Sequence, residues 1–184
     1  TSHLDCAPSM SHPTPTEETV FTTKWFSIAA KTPTGGGDPH YVLQTNDFVA
    51  IVAMDLKGRL LLVRQFRAAA EQVTLEIPSG HVEEGETPEE AARKELLEET
   101  GHVADEFELV GKLSPCIGRY QNRAWCYFAR GARPTDDPAY RLEEGVEPVF
   151  YGGSVSDLVR EEGFLSSLSV SALMLAVAEK RLTV

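Results

Sequence analysis

"GETPEEAARKELLEETGH" (residues 85–102) predicts a helix that carries three carboxylates in its last turns and ends at Gly101. Thr87 is a suitable N-cap, Pro88 fits the first helical position, and Glu90 completes a capping box with Thr87. Gly101 can end the helix in the left-handed conformation that glycine tolerates best. These local signals predict a well-defined helix whose C-terminal end is acidic.

The three acids at this end, Glu95, Glu98 and Glu99, converge on one side of the predicted helix. At about 100° per residue they fall within an arc of about 100°, whereas Arg93 and Lys94 lie outside that arc. Negative charge is unfavourable there, because the helix dipole makes the C-terminus partly negative. One interpretation is a solvated acidic surface. The other is a cation site, since Mg²⁺ takes carboxylate ligands and completes its shell with water and substrate phosphates.

Composition narrows the class of protein. With 184 residues, of which 42% are hydrophobic, the chain is expected to form one domain with a substantial core. A net charge of −11 argues against nucleic acid or anionic membrane as a partner, because both would be repelled. Without a long apolar run or a secretion signal, a cytoplasmic location is expected.

The three cysteines, Cys6, Cys116 and Cys126, are odd in number and share no spacing typical of metal ligands. They are therefore interpreted as reduced thiols, and no zinc site is expected.

The chain begins with a segment of different character. Residues 1–18 are rich in Ser, Thr, Pro and His and are expected to be a flexible tail, in which Met10 is a candidate natural first residue. Residues 19–184 are expected to form the single domain. Within it, residues 19–45 are interpreted as an N-terminal arm of antiparallel strands.

The remaining pattern predicts the fold class. Runs rich in apolar and β-branched residues predict strands at 20–30, 41–55, 59–67, 73–80, 107–113, 123–130 and 149–151. Two further helices are predicted at 155–161 and 167–182. Because strands surround one central helix and a second long helix closes the chain, we expect an α/β sandwich with a mixed sheet.

The segment from Gly80 to His102 resembles the Nudix box. Its nine fixed positions fall here on Gly80, Glu86, Lys94, Glu95, Leu96, Glu98, Glu99, Gly101 and His102. Seven of the nine agree with the family pattern; Lys94 replaces an Arg and His102 replaces an apolar residue. Lysine keeps the charge but lacks the bidentate fork of arginine. Neither change removes a metal ligand.

This resemblance implies a Nudix-type α/β/α sandwich that binds Mg²⁺, with Mn²⁺ as a substitute. By the same resemblance, Glu95 and Glu99 are the principal metal ligands, and Glu98 is a further ligand or an acid–base participant. The backbone carbonyl of Ser79 is implied as an additional ligand. The supporting positions of the box are Gly80, Glu86, Lys94 and Gly101.

The segments around the box, "LLLVRQFR" (60–67) and "LEIPSGHVEEGE" (75–86), are similar to the branch that hydrolyses ADP-ribose and nucleoside diphosphate sugars. The resemblance implies that Arg67 contacts substrate phosphate and assigns Glu76 to substrate binding with it; an exposed strand charge is the alternative for Arg67. Pro115 lies where this branch carries a proline, but Cys116 stands where glycine is common. The resemblance therefore leaves the identity of the substrate's sugar open.

The same branch uses a glutamate from a later loop as a general base or metal ligand. Glu143, Glu144 and Glu147 lie in such a loop, and Glu144 is favoured. A solvated loop acid is the alternative for each, because a base must lie within hydrogen-bonding reach of the attacking water.

The N-terminal arm offers two aromatic residues, Trp25 and Phe26, placed in an early strand. Trp25 is a candidate to stack on a nucleobase, and packing in a core or dimer is the alternative. The arm resembles those that cross between subunits in this branch, which implies a homodimer.

The leading hypothesis is Mg²⁺-dependent hydrolysis of ADP-ribose or a related nucleoside diphosphate sugar to a nucleoside monophosphate and a sugar phosphate. One alternative is a hydrolase of nucleoside triphosphates or dinucleotide polyphosphates. Another is a Nudix-like domain that binds a nucleotide sugar without cleaving it. The box retains Glu86, Glu95, Glu98 and Glu99, which disfavours the non-catalytic alternative.

Overall fold

A computed structural model describes residues 14–183, and these form two compact units. One unit comprises the chain up to Thr45 together with Ile117–Gln121. The other comprises Asn46–Cys116 and the chain from Asn122 onward.

The first unit is a three-stranded antiparallel sheet. Its strands, in the order β1-β2-β3, are β1 (Thr16–Thr22), β2 (Ser27–Thr32) and β3 (His40–Gln44). The strand predicted at 20–30 is interrupted in the structure, because a turn separates β1 from β2. The Thr23 hydroxyl accepts hydrogen bonds from the amides of Trp25 and Phe26 (3.0 Å each), which reverses the chain.

The N-terminal boundary also differs from the expected one. β1 begins at Thr16, inside the segment expected to be a tail, because Thr16, Glu17 and Glu18 pair in register with β2. Residues 1–13, which include Cys6 and Met10, lie outside the described residues.

The second unit contains a mixed sheet of eight strands. They are β4 (Phe48–Asp55), β5 (Leu60–Arg67), β6 (Gln72–Glu76), β7 (Ser79–His81), β8 (His102–Val103), β9 (Glu106–Leu113), β10 (Ala124–Pro134) and β11 (Val146–Tyr151). The central order is β11-β5-β4-β10-β8, with β6 on β5, β7 on β4 and β9 on β10. β4 and β10 run parallel and the other pairs antiparallel, so the mixed sheet is confirmed.

Helices cover both faces of this sheet. They are α1 (Pro88–Thr100), α2 (Val155–Leu158) and α3 (Ser167–Ala178). Alternate residues of β4 point to opposite sides: Ala50 and Val52 belong to the core cluster under α2 and α3, whereas Val49, Ile51 and Ala53 belong to the one under α1. The expected α/β/α sandwich is therefore confirmed.

The last two helices are shorter than predicted. α3 ends at Ala178 because Lys180 adopts a left-handed conformation (φ 57°) and the amides of Lys180 and Arg181 bond back to the carbonyls of Val177 and Ala176. α2 is a single turn. Among the described residues, no helix has the length and apolar character needed to cross a membrane.

Candidate metal centre

The local signals at both ends of α1 produce the caps predicted from the sequence. The Thr87 amide donates to Glu90 Oε2 (2.8 Å), and the Glu90 amide donates to the Thr87 hydroxyl (3.3 Å). At the other end Gly101 has φ 69°, and its amide donates to the carbonyl of Leu97 (2.8 Å). The helix is thus fixed in length and register, which fixes the direction of its acidic side chains.

Three carboxylates meet beside the C-terminal end of α1. Glu95, Glu99 and Glu143 each offer an oxygen within 4.8 Å of the other two. Glu99 is only 3% exposed, Glu95 is half-buried and Glu143 is exposed. Glu95 and Glu99 lie one turn apart on α1, and Glu143 comes from the loop between β10 and β11. Carboxylates this close repel each other unless a proton or a cation lies among them.

Strand β7 lies beside this cluster and contacts two of its carboxylates. The Ser79 amide donates to Glu99 Oε2 (2.8 Å), which fixes that carboxylate. At the next position, a Cβ added to Gly80 would lie 2.1 Å from the carboxyl carbon of Glu95, so any other residue would displace that carboxylate from its place in the cluster. These contacts explain why the box needs glycine at position 80. The sequence-based role of Ser79, metal ligation by its carbonyl, stays a prediction.

The cluster changes the protonation of its members. Burial, followed by the charge of Glu98, raises the pKa of Glu95 to about 7. Burial raises the pKa of Glu99 to about 8, against the opposing hydrogen bond from Ser79 and with a contribution from Glu95. Without a cation, Glu99 is therefore mostly protonated near neutral pH and Glu95 is about half protonated.

The chemistry of this donor set fits a hard divalent cation. All three groups are carboxylates, the ligand type that Mg²⁺ and Mn²⁺ prefer over sulfur or imidazole. Three carboxylate ligands would leave the other positions of an octahedral shell to water and phosphate oxygens. Of the metal ligands predicted from the sequence, the structure brings Glu95 and Glu99 together.

The structure places Glu98 differently from these two residues. Its side chain is exposed and stands outside the group of three, although its charge contributes to the raised pKa of Glu95. Its carbonyl accepts a hydrogen bond from the Glu143 amide (3.0 Å). Its predicted part in ligation or proton transfer stays a prediction.

The loop before α1 is held by Lys94. The Lys94 ammonium lies 3.1 Å from Glu83 and 3.8 Å from Glu86, and Glu86 also accepts the Glu83 amide (3.0 Å). Lysine can therefore supply the charge that this loop requires, even without an arginine fork. Glu86 supports the loop and is not a member of the carboxylate cluster.

The later loop brings Glu143 to the cluster, whereas the sequence favoured Glu144. The reason is the loop's attachment to the end of α1: the Glu143 amide and the Tyr140 hydroxyl both donate to the Glu98 carbonyl, at 3.0 and 3.3 Å. The Tyr140 ring also lies over Gly101, where a Cβ would approach it to 2.9 Å. Carbonyls at a helix C-terminus lack intrahelical partners, which makes them available for such attachment.

The other two loop acids are placed elsewhere. Glu144 is exposed, and Glu147 lies 3.7 Å from Arg64 on β5. No local sequence signal separates Glu143 from its neighbours, because the conformation of the loop depends on contacts with α1, which is distant along the chain.

Arg67 and Glu76 bind each other next to the cluster. Arg67 Nε and Nη2 donate to the two oxygens of Glu76, at 2.8 and 2.9 Å. The hydrogen bonds to Glu76 raise the pKa of Arg67, and the nearby charges of Glu99 and Glu143 add to this effect. Because the Arg67 side chain is still 42% exposed, it can reach an anion beside the carboxylates.

Two predicted positions have other surroundings. Trp25 lies in the turn between β1 and β2 and not in a strand; it is 69% exposed, with the Lys24 ammonium 4.3 Å from its ring centre. His102, at a position that is apolar in the Nudix pattern, is buried, donates from Nδ1 to the Thr100 carbonyl (2.7 Å) and packs edge-on against Phe150. Packing can therefore account for His102.

The chain is similar in sequence to several known proteins. A relative named ADP-ribose pyrophosphatase, from Bacillus subtilis, is 33% identical over 99 residues, which cover 52% of this chain and 54% of that protein. Another of the same name, from Mycobacterium tuberculosis, is 31% identical over 131 residues, covering 69% and 63%. The chain thus spans little more than half the length of the curated relatives that it matches.

Solved structures confirm the fold. The crystal structure of an ADP compounds hydrolase matches with a TM-score of 0.74 over 94% of this chain and 97% of that one, at 24% identity.

A family model described as the NUDIX domain matches residues 45–152, more than half of the chain. The resemblance inferred from the box is confirmed, and the chain belongs to the Nudix family.

Proposed function

We propose that this protein hydrolyses the diphosphate linkage of ADP-ribose or a related nucleoside diphosphate sugar, giving a nucleoside monophosphate and a sugar phosphate. The observation that carries the proposal is the convergence of Glu95, Glu99 and Glu143, with carboxylate oxygens within 4.8 Å of one another. Mg²⁺ is the proposed cofactor and Mn²⁺ a substitute.

Each residue of the site has its own proposed role in this reaction. Glu95 and Glu99 would hold the ion, which when bound neutralises phosphate charge and makes water a stronger nucleophile. Glu143, exposed on its loop, would orient the attacking water or accept its proton, so the loop acid proposed here is Glu143 and not Glu144. Arg67 would contact a phosphate through its free edge, while Glu98 would assist ligation or proton transfer.

The choice of substrate class rests on two supports. Several relatives carry names that specify ADP-ribose or ADP-sugars. In addition, Arg67 lies close enough to the carboxylates for Glu99 and Glu143 to affect its pKa, as a residue that binds the same diphosphate should. A triphosphate hydrolase is the alternative activity.

A substrate panel tests the proposal. The full chain is incubated with Mg²⁺ and ADP-ribose, nucleoside diphosphate sugars or nucleoside triphosphates, and phosphate that becomes available to a phosphatase is measured. Turnover of ADP-ribose or a nucleotide sugar is expected. Direct release of diphosphate from a triphosphate favours the alternative enzyme, and no turnover on any substrate favours a binding domain.

A variant pair links the activity to the cluster. Glu99→Gln should lower kcat by at least about a hundredfold, because it removes a charged ligand. Glu162→Gln, an exposed acid in the segment between α2 and α3, is the matched control and should retain normal turnover. Near-normal turnover by Glu99→Gln would refute the metal-binding role.

We also propose a homodimer formed through the N-terminal sheet. Val20, Phe21, Trp25 and Tyr41 of that unit are all about half exposed or more, a large apolar surface for a small sheet. Sedimentation of the full chain should give twice the monomer mass. A cytoplasmic location, where thiols stay reduced, is also proposed; within residues 14–183, Cys116 and Cys126 form no disulfide.

A further inference from the structure

Glu76 is a buried carboxylate with an unusually complete set of partners. It is 7% exposed, and its Oε1 accepts from both Arg67 Nε (2.8 Å) and the Thr74 hydroxyl (2.6 Å). Its Oε2 accepts from Arg67 Nη2 (2.9 Å). A buried charge is tolerated only when it is paired and hydrogen-bonded, and these three bonds meet that requirement.

Strand geometry brings Thr74 to this carboxylate. Thr74 and Glu76 are two residues apart on β6, so their side chains leave the same face of the strand. Thr74 is 5% exposed. Its hydroxyl also lies 3.3 Å from the Gln65 carbonyl, but a hydroxyl has one proton, and the shorter distance to a charged acceptor assigns that proton to Glu76.

The pairing has a consequence for Arg67. Free arginine side chains lose considerable rotamer entropy when they bind a ligand, and a side chain that is already fixed loses less. Within the described part of the chain, Arg67 Nη1 makes no hydrogen bond, and the side chain is 42% exposed. One edge of the guanidinium is held by Glu76, and another is available beside the carboxylate cluster.

We propose that Thr74 is a positioning residue for diphosphate binding, which acts through Glu76 to fix the guanidinium of Arg67. This inference rests on the proposed function. Without the hydroxyl, Glu76 Oε1 keeps only one hydrogen bond, and the carboxylate gains freedom to rotate away from the two arginine nitrogens. Arg67 then enters the bound state less well oriented, which weakens ligand affinity more than it slows the chemical step.

Thr74→Val tests this role, because valine keeps the β-branched shape and replaces the hydroxyl with a methyl group that cannot donate a hydrogen bond. The probe is the α,β-methylene analogue of ADP-ribose with Mg²⁺, titrated calorimetrically into the full chain. The Kd should rise about tenfold, as is usual when a residue that orients a ligand-binding group is lost. Thr74→Ser, which restores a hydroxyl, should bind within about twofold of the unmodified protein.

Ser154→Ala is the matched control. It removes another hydroxyl–carboxylate bond, from Ser154 to Asp157 (2.8 Å), at the N-cap of α2. It should lower the melting temperature and leave Kd unchanged. On ADP-ribose, Thr74→Val should show a raised KM and a kcat within about twofold of normal, a division that mere loss of stability does not produce.

The outcomes separate two kinds of failure. Unchanged affinity in Thr74→Val, or equal loss in Ser154→Ala, would overturn the role of Thr74 while leaving the proposed activity in place. Absence of turnover by the unmodified protein would overturn the activity, whereas the binding series with the uncleavable analogue would still decide the role of Thr74. If Thr74→Val folds poorly, Glu76→Gln should show the same weakened binding, and normal binding by Glu76→Gln would refute the proposal. Failure of the unmodified protein to bind the analogue would also refute it.

Discussion

At the scale of single residues, position relative to α1 decides which acids can act together. Glu143 shares a site with Glu95 and Glu99, whereas its chain neighbour Glu144 does not belong to the group. The two are chemically identical and adjacent, so they form a natural pair for mutation.

Glu143→Gln is expected to lower kcat on ADP-ribose by about a hundredfold, because general bases and charged ligands typically contribute at least this factor. Glu144→Gln should stay within about twofold of normal. Steady-state kinetics on both purified variants measure the difference. If Glu144→Gln proved the more damaging of the two, the loop would have to adopt another conformation in the working enzyme.

Sequence reasoning at this scale succeeded where the spacing is local. The convergence of Glu95 and Glu99 follows from helical periodicity. The closeness of Gly80 to the Glu95 carboxylate, by contrast, is visible only in the structure. The partnership of Thr74, Glu76 and Arg67 could not be derived in the same way. It depends on the pairing of β5 with β6, and nothing in either segment alone specifies that register.

At the scale of elements, the C-terminus of α1 is the point to which the loop carrying Glu143 is attached. Four contacts make this attachment. The Thr135 amide donates to the Gly101 carbonyl (2.9 Å), the Glu143 amide and the Tyr140 hydroxyl donate to the Glu98 carbonyl (3.0 and 3.3 Å), and the Tyr140 ring covers Gly101. Gly101 thus ends α1 in a left-handed conformation, and its lack of a side chain leaves space for the Tyr140 ring.

Tyr140→Ala should loosen this attachment. Without the ring over Gly101, Glu143 would spend less time at the cluster, and kcat should fall about tenfold with a smaller effect on Mg²⁺ affinity. Hydrogen exchange at the Glu143 amide, which bonds to Glu98, should accelerate in the same variant. Tyr140→Phe keeps the ring but loses the hydroxyl bond to the Glu98 carbonyl, so it should show a smaller effect than Tyr140→Ala. Unaltered exchange in Tyr140→Ala would contradict the attachment.

Elements that carry their own end signals were the best predicted. α1 has a capping box and a terminal glycine, and both ends lie where those residues place them. α3 was predicted too long, because apolar residues continue at helical spacing to Leu182 while Lys180 turns the chain. The strand predicted at 41–55 is divided between the two units at Thr45, a break that hydrophobicity alone does not mark.

At the scale of the whole molecule, strands around one central helix, with a second long helix closing the chain, were enough to predict an α/β sandwich with a mixed sheet. The parallel pairing of β4 with β10 joins segments about 75 residues apart and leaves no local signature. The sheet matters for function because β4 carries β7, and β7 supplies both Ser79 and Gly80 to the acidic end of α1.

The buried carboxylates also connect the stability of the whole fold to pH and metal. Since burial raises the pKa of Glu95 to about 7 and that of Glu99 to about 8, the folded protein holds protons that the unfolded chain, with carboxyl pKa values near 4.5, releases. The stability that these two groups contribute without metal is therefore fully present below about pH 4.5 and is lost as pH rises through about 7 and 8.

A divalent ion must displace those protons, so its binding should strengthen as pH rises over the same interval. The increase in melting temperature caused by Mg²⁺, relative to EDTA, should accordingly be larger near pH 8.5 than near pH 6. Glu95→Gln with Glu99→Gln removes both titrating groups and should abolish most of this pH dependence, whereas Glu162→Gln should preserve it. A Mg²⁺-induced increase of equal size at both pH values in the unmodified protein would mean that the ion does not replace protons on these carboxylates.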